Sequence, residues 1–159
     1  MRSPKGAGKR RRNGGWSVAA NAVRAGLVMQ KKMTELNLRW LSQGQEPHLI
    51  RVGINTGFVT VGNLGTEYLW DYTVIGPEVN KAQRLESTAE AGSLLLARRT
   101  YALARNQGVL PDDLPPCTFA LKGIGEETDL YAVPAELVAQ LAVSLPYQEE
   151  GEKIEPQIS

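Results

Sequence analysis

An α+β fold, with helices packed on one mainly antiparallel sheet, is what three features of this sequence predict. Apolar residues recur at helical spacing from Ala19 to Trp40. The segment Ser93–Ala97, centred on Leu94-Leu95-Leu96, is apolar and too short for a helix. Several short extended runs are bounded by Gly, Asn and Pro clusters. A length of 159 residues suits a single domain with a real core.

The elements follow in order. Ser17 can cap a helix whose buried stripe is Ala19, Ala22, Val23, Gly26, Leu27, Met33, Leu36 and Trp40; Ser42–Pro47 breaks it. Ile50, Val52 and Ile54 alternate as a strand, Asn55-Thr56-Gly57 signals a turn, and Phe58–Val61 is extended. Gly62-Asn63-Leu64-Gly65 predicts a break, and Trp70–Ile75 a further strand. Gly76-Pro77 opens a second helix, because proline at the first helical position gives up an N–H that has no partner there. Its buried side is Val79, Ala82, Leu85 and Ala89. After the Ser93–Ala97 strand come a short helix over 98–107, a proline-rich loop at 111–116, strands at Cys117–Leu121 and Thr128–Val133, and a helix within 135–145. Residues 1–15 read as a disordered basic head, 16–134 as the folded body and 135–159 as a tail, partly helical and then solvated.

Composition excludes several functions. The lone Cys117 leaves no internal disulfide and no thiolate zinc site. With His48 the single histidine, any Ser-His-Asp or Cys-His chemistry would have to use it, and its polar loop reads as an exposed setting. No apolar stretch approaches the ~18 residues of a membrane span, and no signal peptide is visible, so a cytoplasmic protein is expected. Six of the 18 basic residues lie in residues 1–12. The rest holds twelve against 17 acidic residues, a net charge of −5. This body offers no basic face, so nucleic acid is not an expected partner. Gly6-Ala7-Gly8-Lys9 lacks the hydroxyl residue and preceding strand of a phosphate loop. Asp112 and Asp113 are adjacent in a proline-bounded loop, where side chains diverge and stay hydrated. Cys117 reads as a packed thiol.

One constellation carries chemistry. Arg51-Val52-Gly53-Ile54-Asn55-Thr56-Gly57 is followed by Gly62-Asn63-Leu64-Gly65. Then comes Asp71-Tyr72-Thr73-Val74-Ile75-Gly76-Pro77-Glu78-Val79-Asn80-Lys81-Ala82-Gln83-Arg84-Leu85-Glu86-Ser87, and later Leu121-Lys122-Gly123-Ile124-Gly125 and Leu130-Tyr131-Ala132-Val133. Asn80 and Arg84, spaced i,i+4, share one side of a helix. Guanidinium offers a fixed fork of donors to phosphate. Together these motifs resemble the second half of the catalytic domain of class III nucleotidyl cyclases, over roughly Val18 to Val133.

The resemblance implies an incomplete ferredoxin-like cyclase domain of the bacterial adenylate cyclase type, turning ATP into cyclic AMP and pyrophosphate. It assigns Thr73 to base recognition, Asn80 to the ribose, Arg84 to charge at the α-phosphate and Lys122 to the terminal phosphates. It also implies magnesium or manganese held by two aspartates of the first half, in a site built between two chains. This sequence has four aspartates, Asp71, Asp112, Asp113 and Asp129, none in such a motif. The lysine that partners the base-reading residue is missing as well. The expectation is therefore a fragment, inactive alone, whose partner is a second copy or a cyclase-like chain; a homodimer would bring no metal aspartates to either site. The alternative is a non-enzymatic module that binds nucleotide or such a partner.

Overall fold

The computed structural model describes residues 17–66, 69–119 and 128–145. The basic head, the Lys122-Gly123-Ile124-Gly125 loop and the acidic tail lie outside them. Four helices accompany six strands: α1 (Val18–Ser42), β1 (Val52–Ile54), β2 (Thr60–Thr66), β3 (Leu69–Ile75), α2 (Pro77–Thr88), β4 (Leu94–Ala97), α3 (Arg98–Arg105), β5 (Pro116–Phe119), β6 (Thr128–Val133) and α4 (Ala135–Val143). Strands β1-β4-β6-β5 form one sheet in that order, with β1 and β4 parallel and the other two pairings antiparallel. Strands β2 and β3 form a separate antiparallel hairpin.

Helix α1 begins where its cap predicts: the Ala20 N–H donates to Ser17 Oγ at 3.2 Å. Its inner face buries Ala19, Ala20, Val23, Gly26 and Leu27. Two buried polar residues extend that face. Gln30 Nε2 donates to the carbonyls of Ile50 (3.1 Å) and Ser93 (3.0 Å), and the Asn37 amide exchanges hydrogen bonds with the backbone of His48 (2.7 and 2.9 Å). A buried amide without such partners would be costly; here each one locks the helix to the strand entries.

Strand β4 explains its own apolar run. Leu94 and Leu96 join Val23, Leu27, Tyr101 and Val138 in the core made by α1, α3 and α4. Leu95 and Ala97 join Leu85, Ala89 and Leu130 in a second core under α2. The sheet is thus covered on both faces, so a continuous rather than alternating pattern is required. This refines the expectation of helices on one sheet: three helices lie on one face and α2 alone on the other. Gly53 is the reason α2 comes so close. Val52 and Ile54 pack toward α1, while a Cβ at Gly53 would overlap the backbone of Glu86 and stand 2.6 Å from the Ala82 carbonyl oxygen.

One expectation fails. Gly62–Gly65 is not a break: β2 runs unbroken from Thr60 to Thr66, paired residue by residue with β3. The ladder of backbone hydrogen bonds and the register with β3 outweigh the low strand propensity of the two glycines.

Candidate functional site

Thr73 lies in β3 directly opposite Gly62, half-buried. Two residues later β3 ends, and Gly76 turns the chain straight into α2. Its φ of 147° is one that side-chain-bearing residues avoid, and Pro77 follows at the start of the helix. The N–H groups of Val79 and Asn80 return to the Gly76 carbonyl at 3.1 and 3.4 Å. No loop intervenes, so Thr73 and α2 belong to one continuous segment.

Helix α2 has a buried side and an exposed side. Leu85 is fully buried against β4 and β6, and Val79 and Ala82 are half-buried beneath the helix. Asn80 is exposed and Arg84 half-buried on the other side, one turn apart. Among the described residues neither side chain makes a hydrogen bond or ion pair; only the Arg84 carbonyl is used, by Ser87 Oγ at 3.1 Å. An uncommitted amide and an uncommitted guanidinium at this spacing can bind a polar, anionic ligand.

The start of α2 is clamped by residues that read in the sequence only as a turn. Asn55 Nδ2 donates to the Glu78 carboxylate at 2.6 Å and to the Glu78 carbonyl at 3.0 Å. Glu78 also sits in the first turn of α2, where a carboxylate complements the helix dipole. A Cβ at Gly57 would overlap the Glu78 side chain. Next to it, the Thr56 and Thr100 hydroxyls hydrogen-bond at 2.8 Å, tying the same loop to α3. Nothing local signals these partners, which lie 23 and 44 residues away.

An open cleft of about 600 Å³ lies beside this clamp, bordered by Phe58, Lys81, Arg98 and Arg99. Thr73, Asn80 and Arg84 do not line it. Lys122 lies outside the described residues, as does the side chain of Asp71.

The remaining carboxylates do not fit a magnesium or manganese ion. Asp112 is exposed and 3.6 Å from Arg105 Nε, Asp113 is exposed, and Asp129 on β6 is 3.6 Å from Arg98. No three carboxylate, imidazole or thiol groups among the described residues gather into a metal-holding set. Cys117 donates to the Leu130 carbonyl at 3.2 Å, and burial pushes its thiol pKa up, opposite to what a nucleophile needs. His48 is exposed, with its ring edge-on to Trp40 at 5.5 Å.

The family described as "Adenylate and Guanylate cyclase catalytic domain" matches residues 10–131. The chain belongs to this family. Among cyclase relatives, Adenylate cyclase 1 of Rhizobium meliloti (strain 1021) is 32% identical over 116 residues, which cover 72% of this chain and 17% of that protein. The solved adenylyl cyclase CyaB from P. aeruginosa is 41% identical with a TM-score of 0.62, and the guanylyl cyclase Cya2 is 30% identical with a TM-score of 0.64. The chain spans 57% and 58% of those two structures, and they span 72% and 74% of it. A rhodopsin-guanylyl cyclase core with converted specificity, in complex with ATPalphaS, is 28% identical with a TM-score of 0.59. The α+β architecture, with its mixed and mostly antiparallel sheet, is that of these cyclase catalytic domains. No described helix is long and apolar enough to cross a membrane.

Proposed function

We propose that this chain carries the substrate-reading surface of an adenylate cyclase. The reaction is attack of the ribose 3′-oxygen of ATP on the α-phosphorus. The bond from that phosphorus to the bridging oxygen breaks, pyrophosphate leaves, and the 3′-hydroxyl proton is lost. Thr73 reads adenine through a hydroxyl that can both donate and accept. Asn80 holds the ribose, and Arg84 stabilises charge growing on the α-phosphate, an electrostatic contribution specific to the transition state. Lys122 holds the terminal phosphates as a point charge.

The observation that carries this reading is the continuous β3–Gly76–α2 segment, which joins Thr73 to the uncommitted Asn80 and Arg84. Adenine rather than guanine is favoured by the hydroxyl at position 73 and by the 41% identity to an adenylyl cyclase.

The scattered aspartates support a second part of the proposal. The 159-residue chain acts as a fragment, inactive alone, whose active site is completed by a cyclase-like partner bringing its own metal-binding carboxylates. A second identical copy would add only the same aspartates. To test this, cyclic AMP is measured with ATP and manganese, first for the purified chain and then after mixing with a cyclase chain that keeps its metal aspartates but lacks the arginine equivalent to Arg84. We expect no product alone and turnover on mixing. Turnover by the chain alone would sink the fragment reading. ATP binding without turnover in any mixture would favour the non-enzymatic module that the scattered carboxylates also allow.

A further inference from the structure

We infer that Gly62 determines substrate specificity: the side chain it lacks is the space through which the flat base of a purine nucleoside triphosphate reaches Thr73. The inference rests on the base-reading role of Thr73 proposed above.

The hairpin register pairs Gly62 with Thr73 and Thr60 with Ile75. Residues directly opposite in an antiparallel pair project from the same face, their Cβ atoms about 4.5–5.5 Å apart. Any side chain at position 62 would therefore stand beside the Thr73 hydroxyl. Among the described residues, no atom lies within 4 Å of where a Cβ at Gly62 would sit. Its backbone does not call for glycine either, since Gly62 is not among the positive-φ glycines.

This separates it from the other glycines of the site. Gly53 is held to glycine by the backbone of α2, Gly57 by the Glu78 side chain and Gly76 by its φ. Among the described residues Gly62 meets none of these three constraints, yet it sits inside a strand, where glycine is unfavourable and often marks the close approach of a ligand. The same face carries Ile75, about half exposed, which borders the gap as an apolar wall against which a base can lie flat. The opposite hairpin face carries Val61 and Val74. Among the described residues the gap is thus an opening beside a hydroxyl and an apolar side chain, as a planar heterocycle with polar edges requires.

The test uses the whole chain, with ATP and inorganic tripolyphosphate titrated by calorimetry into wild type, Gly62→Val and Thr73→Ala. Gly62→Val should unfold at or above the wild-type temperature, since valine suits a strand and its Cβ meets no atom of the described residues. It should bind ATP at least about 10-fold more weakly and tripolyphosphate unchanged, with Gly62→Ala falling between. Unchanged ATP binding in Gly62→Val, alongside weakened binding in Thr73→Ala, would overturn the inference while leaving Thr73 its role. Where the wild-type chain binds no ATP alone, the same titrations are made on the partner mixture; if neither variant weakens ATP binding there or alone, both readings fall. Equal weakening of ATP and tripolyphosphate would make Gly62 a merely structural residue and overturn the inference. Should Gly62→Val fail to fold, Gly62→Ala is judged by the same criteria.

Discussion

Strand β4 is covered on both faces, by α1, α3 and α4 on one side and by α2 on the other, whereas the β2–β3 hairpin leaves Val61, Val74 and Ile75 substantially exposed. Phe58, just before β2, is 89% exposed. Both regions use β-branched and large apolar residues, so composition alone does not separate them. The difference lies in what covers them. The four-stranded sheet buries side chains on both of its faces. None of the hairpin's described side chains is buried, and Thr73 is among them. Helix α2 belongs to both regions: Leu85 faces the closed core, and Asn80 and Arg84 face the open surface.

The largest effect that would sharpen this contrast comes from the closed side. Leu96→Ala should cost about 2–5 kcal/mol by removing fully buried apolar volume, read as a lower urea midpoint, with ATP affinity unchanged wherever the chain remains folded. A cost below 1 kcal/mol would mean that β4 is not where stability is held. On the open side, Arg84→Ala should leave the unfolding midpoint within ~0.5 kcal/mol of wild type. It should lower turnover in the partner mixture by roughly 10²–10³-fold, the scale for losing one donor to a developing oxyanion. A matching loss of stability would show that Arg84 serves the core.

How much of this was legible in the sequence depended on how local each cause is. Ser17 announces α1 because a cap bonds three residues ahead. Leu94-Leu95-Leu96 announces a doubly covered strand because its pattern is continuous. Asn80 and Arg84 were visible through helix spacing and through a family resemblance that the match over residues 10–131 supports. The run of β2 through Gly62–Gly65 was not legible, because glycine usually marks a break and its pairing with β3 is a tertiary fact. The placement of α2 on the far face was hidden for the same reason: Gly53 reads as a weak strand residue until Glu86 and Ala82 lie against it. Asn55 read as a turn residue, although its amide clamps Glu78.

That clamp gives the third prediction, because it joins the two regions. Asn55→Ala removes two hydrogen bonds, one to a carboxylate, and should cost about 1.5–3 kcal/mol. It should also lower turnover in the partner mixture, since the first turn of α2 carries Asn80 near its start. Loss of stability with full turnover would separate the clamp from the site. The smallest effect concerns pH. Burial raises the Cys117 pKa in the folded chain. Folding then favours the thiol, a contribution fully present below the unfolded thiol pKa and lost as pH rises through the folded one. Wild type should therefore lose slightly more thermal stability between about pH 7 and 10 than Cys117→Ser, which keeps a donor for the Leu130 carbonyl. Parallel pH curves for the two proteins would contradict it.

Gln30 has a consequence for how the strands find each other. The parallel ladder of β1 and β4 pairs only Val52, Gly53 and Ile54 with Leu94, Leu95 and Leu96, and three aligned residues discriminate poorly between alternative offsets. The two N–H groups of the Gln30 amide donate to the carbonyls of Ile50, two residues ahead of β1, and Ser93, one residue ahead of β4. Sliding either strand by one residue would carry its carbonyl away and strand a buried amide. One side chain on a helix thereby acts as an alignment gauge for two strands that are 40 residues apart in the chain, and it accepts only one offset.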